Sequence, residues 1–449
     1  MSASIIRELG DGLVLRRATP ADAEALAAFN GWVHRAPGAS EPNHRVMAWT
    51  RDLLCRPHPT FRPEDFTIVE DTRSGSIVSS LNLISQTWEY EGIRFGVGRP
   101  ELVGTRPDFR GRGLVRAQFE VIHQWSAERG EKLQAITGIP YFYRQFGYEM
   151  ALELEGWRTC GRADIPPPRP NQTEPYRVRP AVSSDLSFIA ALYDESRARY
   201  VVSCVRDEAA WAYELGGRSA DSHERLEIRL IETPGGEPVG FLVHEPQLRD
   251  GNWLVVRYLE IGPGFSWVAV IPSAMRALAA VGEELAGRTP TTWFAGIRLG
   301  LGRDHPAYRA LEGRLGQVTA VYAWYVRVPD LADFLRLIAP ALERRLASSI
   351  ARGHDGELRL DFYRSGIRLV LERGRLTAVE DWLPRPDERG DVWLPDLTFL
   401  QLLFGYRSLS ELEHAFADCG IPSRASSSEA RALVEALFPR RPSFVWPIS

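Results

Sequence analysis

Apolar positions along the chain fall into two alternating rhythms. Residues 13–18 (LVLRRA) read as a short strand, and residues 19–33 (TPADAEALAAFNGWV) recur at helical spacing, with Thr19 as the expected N-cap and Pro20 at the first helical position. Residues 34–63 carry Trp49, Leu53 and Leu54 at helical spacing and are broken by RPHPTFRP, which predicts an irregular helical excursion. Three strand-like runs follow, FTIVED, GSIVSSLNLIS and IRFGVG, separated by turn signals at Asp71–Gly75 and Glu91–Gly92, and predict an antiparallel meander. Residues 103–148 then read as strand, glycine–arginine turn, amphipathic helix, strand and aromatic turn.

Residues 161–175 are rich in proline and polar residues and predict a linker. Beyond it, YRVRPAVSSDLSFIAALYDE repeats the order of LVLRRATPADAEALAAFN: strand, arginine, small capping residue, aspartate, amphipathic helix. This predicts an internal duplication. The strands RLEIRLIE, GEPVGFLVHE and NWLVVRYLEIG continue the second unit, with a helix around AMRALAAVGEELAGR. Where the first unit has its glycine–arginine turn, the second has GPGFSWVAVIP. From about Pro329 an amphipathic helix, two strands and further apolar helices predict a third, α+β unit. The expected divisions are residues 1–160, a linker at 161–175, then 176–328 and 329–449. The expected fold class is α/β (α+β) with mixed central sheets.

Composition narrows the function. A net charge of −4 gives no global attraction for nucleic acid or an anionic membrane, and no apolar run approaches the ~20 residues of a membrane span. The N-terminus lacks the basic and apolar regions of a signal peptide, and Cys55, Cys160, Cys204 and Cys419 form no metal-type cluster, so a reduced cytoplasmic protein without a metal is expected. Lys132 is the only lysine among 54 basic residues, a bias that a GC-rich genome explains.

The chemistry is concentrated in RGRGLV, residues 110–115. Between a strand and a helix, Gly111 and Gly113 free backbone N–H groups to converge at the positive end of the helix dipole, and Arg110 and Arg112 add charged donors. Taken alone, this is either a phosphate site or a tight turn with solvated arginines. It lacks the GK[ST] ending of a P-loop and the third glycine of GxGxxG. The preceding ELVGT places Glu101, Val103 and Thr105 on one face of a strand whose free edge could hold an amide-bearing ligand arm.

The turn resembles the pyrophosphate turn of the GCN5-related N-acetyltransferase (GNAT) superfamily, Gln/Arg-x-x-Gly-x-Gly/Ala, at every position but Val115. That departure is shared with the Eis-like branch, whose Tyr-x-Arg/Gln-Phe-Gly-Tyr element stands here as Tyr143 to Tyr148. The branch implies two tandem GNAT-fold domains, the second without a cofactor turn, and a C-terminal domain like sterol carrier protein. It implies acetyl-CoA as co-substrate, with pantetheine along Leu102, Val103, Gly104 and Thr105, pyrophosphate at Arg110, Gly111, Arg112, Gly113, Leu114 and Val115, and Gly138 and Ile139 flanking the splayed cofactor.

Tyr143 is implied as general acid, and the base is implied to be either the C-terminal carboxylate of Ser449 or Glu101. Trp32, His34, Trp49 and Trp88 are candidate walls of an acceptor pocket or core residues, and His34 and His44 candidate proton shuttles. The implied function is N-acetyl transfer to an amine of a small molecule or peptide, aminoglycoside-like or lysine-like, in a ternary complex. A homo-oligomer is compatible with the branch. The competing reading is a non-catalytic acyl-CoA or lipid carrier built on the same domains.

Overall fold

The computed structural model describes residues 5–446 except 169, 172, 289, 386–387 and 424–426. Its first sheet is built around one long hairpin. Strands β1 (Ile5–Gly10) and β2 (Leu13–Arg17) lead through helices α1 (Ala23–Val33) and α2 (His44–Cys55) to β3 (Phe66–Asp71), β4 (Ser76–Tyr90) and β5 (Ile93–Thr105). The hairpin turn at Glu91–Gly92 takes φ of +47° and +86°, the conformation that matches strand twist in a two-residue loop. The expected meander of β3, β4 and β5 is antiparallel. Helix α3 (Leu114–Glu128) returns the chain to β6 (Leu133–Ile136), parallel to β5, and β7 (Glu149–Leu154) follows.

The second unit repeats this plan. After β8 (Trp157–Gly161) come β9 (Arg177–Pro180), α4 (Leu186–Ser196), β10 (Val202–Val205), the short helix α5 (Glu208–Ala212), and β11 (Glu227–Glu232), β12 (Pro238–His244) and β13 (Trp253–Ile261). Helix α6 (Trp267–Gly287) connects β13 to its parallel neighbour β14 (Gly296–Leu299). The helix expected at residues 274–288 thus begins seven residues earlier, inside GPGFSWVAVIP, and accommodates Pro272. Duplication reaches individual ion pairs. Arg16 binds Asp22 and Glu70 in the first unit; Arg179 binds Asp185 and Glu232 in the second. In each, the aspartate also accepts from the backbone N–H three residues before it, of Thr19 or Val182, closing the turn that opens the helix.

Sheet membership does not follow chain order. After α7 (Pro306–Ala310) and β15 (Val318–Thr319), strand β16 (Tyr322–Arg327) enters the first sheet between β6 and β7, while β8 lies in the second sheet between β14 and β15. Each repeat thus receives a strand from beyond the other's end, and the expected boundaries at 160 and 328 cut across the sheets. Strand β10 makes a second tie by pairing with β4.

The third unit has a four-stranded sheet made of β17 (Gly356–Asp361), β18 (Gly366–Glu372), β19 (Arg375–Trp382) and β20 (Val392–Trp393). It is covered by α8 (Leu331–Ala347) and accompanied by α9 (Asp396–Leu403), α10 (Leu409–Ala415) and α11 (Ser427–Leu437). Its core is continuous with the tip of the β4–β5 hairpin, where Phe334 packs edge-on against Tyr90 and Phe95. Arg345 seals the contact by donating to Glu91, Tyr90 Oη and the Leu437 carbonyl.

A buried histidine in the second sheet makes stability pH-dependent. His244 Nδ1 faces the Glu245 carbonyl at 2.8 Å, and its Nε2 accepts from Arg229 at 2.7 Å, so protonation would set two donors against each other. Burial, chiefly, lowers its pKa to about 4. A histidine depressed in the folded state stabilises above its unfolded value near 6.5, and that stability is lost as pH falls from there towards 4. The expected contribution is at most about 3 kcal/mol. Urea titrations should show His244→Gln losing less stability than wild type between pH 7 and pH 4.5; equal losses would contradict the assignment.

Candidate active site

The cleft arises because β5 and β6 pair over only two positions. Val97 faces Leu133 and Gly98 faces Gln134, after which the strands part. A bulge lies on the other edge of β5, just past that point. Ser80 faces Gly104 and Asn82 faces Glu101, so Leu81 opposes two residues, Leu102 and Val103. Leu102 takes a left-handed φ of +52°, costly for a branched side chain, and is held there by burial among α1 and α2. Ser80 links that core to Asn30 at 3.1 Å. Further along, Ser79 Oγ donates to the Gly104 carbonyl at 2.8 Å and accepts from Gln118 of α3 at 2.7 Å, fixing the strand end against the helix.

A cleft of about 1020 Å³ opens at this divergence. It is lined by Glu101, Leu102, Val103, Gly104 and Thr105 of β5, by Arg110, Gly111, Arg112, Gly113, Leu114 and Val115, by Gly138 and Ile139, and by Tyr143 and His34. All these sequence-derived candidates therefore face one space. At the turn, Gly111 and Gly113 have φ of +75° and +74°, and nothing lies within 4 Å of where a Cβ would stand. Gly113 caps α3, whose first N–H groups open towards the cleft. Arg112 reaches Asp11 at 3.0 Å, while Arg110 is exposed.

Tyr143 sits at the floor. Its ring meets Phe119, Phe142, Tyr148 and Tyr325 edge-on, and passes so close to Gly138 that a Cβ there would lie 2.1 Å from Cε2. Its hydroxyl finds no hydrogen-bond partner among the described residues. Burial first, and the nearby Glu101 carboxylate second, push the phenol well above its ordinary value, so it stays protonated at neutral pH. Glu101 is pushed up to about 7 by burial, against the pull of Arg99, which forms an ion pair with it. Arg99 is itself stacked over Trp324 of β16 and donates to the Ala135 carbonyl at 2.9 Å. The exchanged strand thus supports the cleft floor.

Other candidates lie elsewhere. Trp88 is fully buried and packs edge-on against Trp324, so it is core and does not wall the cleft; β4 is covered on both faces here, which alternation along the strand does not reveal. Trp32 is 45% exposed on the outer face of α1 beneath Arg35 and is likewise not a wall. Trp49 does line the cleft, and His44 does not line it. Ser449 lies outside the described residues. The tail before it runs beside β10, where the Phe444 N–H donates to the Val202 carbonyl, and Trp446 is buried against Tyr258 and the Arg206 guanidinium.

Sequence reasoning missed His223 and Glu224, which reach the same cleft from the second repeat. Nothing in their local sequence, DSHERL, signals chemistry. Among the described residues no cluster of three or more His, Cys, Asp or Glu could hold a metal ion, and no helix is long and apolar enough to cross a membrane.

Comparison with known proteins bears on the residues that build this site. Residues 17–151 match the model of the acetyltransferase (GNAT) domain. No curated protein matches the sequence. Among solved structures, the fold is similar to a GCN5-related N-acetyltransferase from Anabaena variabilis (15% identity, covering 96% of this chain and 99% of that one, TM-score 0.64). It is similar to a probable N-acyltransferase of unknown function from Enterococcus faecalis (14%, 96% and 97%, 0.64) and to Eis1 from Mycobacterium abscessus (17%, 96% and 99%, 0.56).

Proposed function

We propose that the protein transfers an acetyl group from acetyl-CoA to a primary amine by direct attack in a ternary complex. The observation that carries this reading is the open glycine turn at 110–115 set beside the edge of β5 left free where β6 parts from it after Gly98, inside a domain matching the GNAT model. The pyrophosphate would lie on the N–H groups of residues 110–115 with Arg110 and Arg112, and the pantetheine amides along Leu102 to Thr105, which supports an acyl donor of this shape. Ile139, exposed beside Gly138, would flank the splayed arm. Tyr143 would return a proton to the leaving thiolate. Glu101 and the Ser449 carboxylate remain the two carboxylate bases in this reading. The acceptor class is aminoglycoside-like or lysine-like, from the Eis-like pattern and from the similarity to Eis1. Residues 176–328 would serve as a second GNAT-like repeat without a donor turn, and residues 329–449 as a sterol-carrier-like unit.

The test is calorimetric titration with CoA, followed by thiol release from acetyl-CoA with kanamycin and Nα-acetyl-lysine as acceptors. Wild type should bind CoA and release thiol only when an amine is present. Gly113→Val forces a branched side chain into a left-handed position and should weaken CoA binding at least about tenfold. Absence of CoA binding by wild type would sink the reading.

A further inference from the structure

We propose that a Glu224–His223 dyad, carried by the second repeat, takes the proton from the acceptor amine in the first repeat's cleft. The proposal rests on the acetyl-transfer reading and adds a catalytic pair to it.

The loop that presents the pair is clamped on α2. Ser219 donates from both its N–H and its hydroxyl to the buried Asp52 carboxylate, each at 2.9 Å. Arg45 donates to the carbonyls of Ser222 and His223 at 2.9 and 3.1 Å, and the His223 N–H returns a bond to the Arg45 carbonyl at 3.0 Å. The imidazole then stacks on Trp49, with ring centroids 6.3 Å apart and 27° between planes. Five hydrogen bonds across a repeat boundary fix the loop, and the two side chains they present both line the cleft.

The pair is arranged for proton uptake. Glu224 Oε1 lies 3.8 Å from His223 Nε2, while His223 Nδ1 is buried with no hydrogen-bond partner among the described residues. Nδ1 is enclosed, so the ring nitrogen left to meet an amine in the cleft is Nε2, and the neighbouring Glu224 carboxylate favours the imidazolium that forms there. The charged groups around the ring are Glu224 and Glu245, which favour its protonation, and Arg45 and Arg249, which oppose it; burial outweighs them all and holds the ring neutral at pH 7. His34, which adjoins the Gly104 edge, faces His223 and disfavours a second charge. Glu101, by contrast, is engaged by buried Arg99.

The step balances. The incoming ammonium gives one proton to His223 Nε2; the freed lone pair forms the C–N bond to the thioester carbonyl carbon; the C–S bond breaks and the sulfur leaves with its electron pair. The nitrogen's second surplus proton, lost as the amide forms, balances the proton that Tyr143 gives the thiolate. One proton per turnover leaves through His223.

The experiment measures kcat and KM against pH for thiol release from acetyl-CoA with kanamycin and Nα-acetyl-lysine, alongside CoA calorimetry and thermal melts. His223→Ala should lower kcat at least about 100-fold, keep CoA affinity within twofold of wild type, and regain part of the rate with added imidazole. Glu224→Gln should lower kcat about tenfold and move the acid limb to lower pH, because the ring loses the charge that favours its protonation. An unchanged rate and acid limb in His223→Ala would overturn the dyad while leaving acetyl transfer intact. A loss of rate matched by lost CoA binding, without imidazole rescue, would reduce His223 to a structural role and overturn it too. A wild type that binds no CoA would sink the acetyl-transfer reading itself.

Discussion

Replacing Tyr143 by Phe lowers kcat about 100- to 1,000-fold and leaves CoA affinity within twofold, the loss expected when a positioned general acid is removed. The prediction separates ring from hydroxyl. The ring is wedged among Phe119, Phe142, Tyr148 and Tyr325 and against Gly138, and phenylalanine keeps every one of those contacts. The hydroxyl makes no bond within the described protein that its removal would break. Stability should therefore hold while chemistry fails. Because burial raises the phenol above its ordinary value, no alkaline limb from Tyr143 is expected below about pH 10. A Tyr143→Phe variant with wild-type kcat would remove Tyr143 from the mechanism, and one with a low melting temperature would mark it as structural.

Much of the cleft's framework was legible because it is local. Gly111 and Gly113 had to read as a turn, since few residues other than glycine adopt a left-handed φ readily, and the turn's place between strand and helix follows from a switch in hydrophobic period. The duplication was legible for the same reason: Arg16 and Asp22 have the same spacing as Arg179 and Asp185, and the structure shows that spacing closing the same ion pair. What stayed hidden is non-local. His223 and Glu224 reach the cleft only because Asp52 and Arg45 hold a loop some 170 positions away, and no window of sequence spans that distance. Trp88 and Trp32 were interchangeable on paper; burial of both faces of β4 and exposure of one face of α1 separate them. The bulge at Leu102 was equally silent, because a leucine with positive φ violates the local preference that sequence reading depends on.

Strand exchange is the other hidden feature, and it carries a large expected effect on stability. Trp324 of β16 is fully buried between β6 and β7, edge-on to Trp88 at 5.7 Å and 4.1 Å beneath the Arg99 guanidinium. Its truncation empties that space and leaves buried Arg99 without its ring, so Trp324→Ala should cost about 3–5 kcal/mol in urea unfolding. It should also disturb the site, because Arg99 pairs with Glu101; acetyl-CoA turnover should fall more than CoA binding. The same topology predicts that residues 1–160 expressed alone give no cooperative transition. Such a fragment keeps β6 and β7 but lacks the strand that joins them, and exposes unpaired strand edges that favour aggregation. Coexpression with residues 161–449 should restore a soluble complex, since that half supplies β16 and β10 to the first sheet and takes β8 only from the other fragment. Cooperative folding of 1–160 alone, or a Trp324→Ala cost below about 1 kcal/mol, would mean that the first repeat stands without the exchanged strand. If the expected results hold, neither repeat is an independent folding unit, and the loop that brings His223 and Glu224 to the cleft is positioned by the same interlocked sheets that make the floor beneath Tyr143.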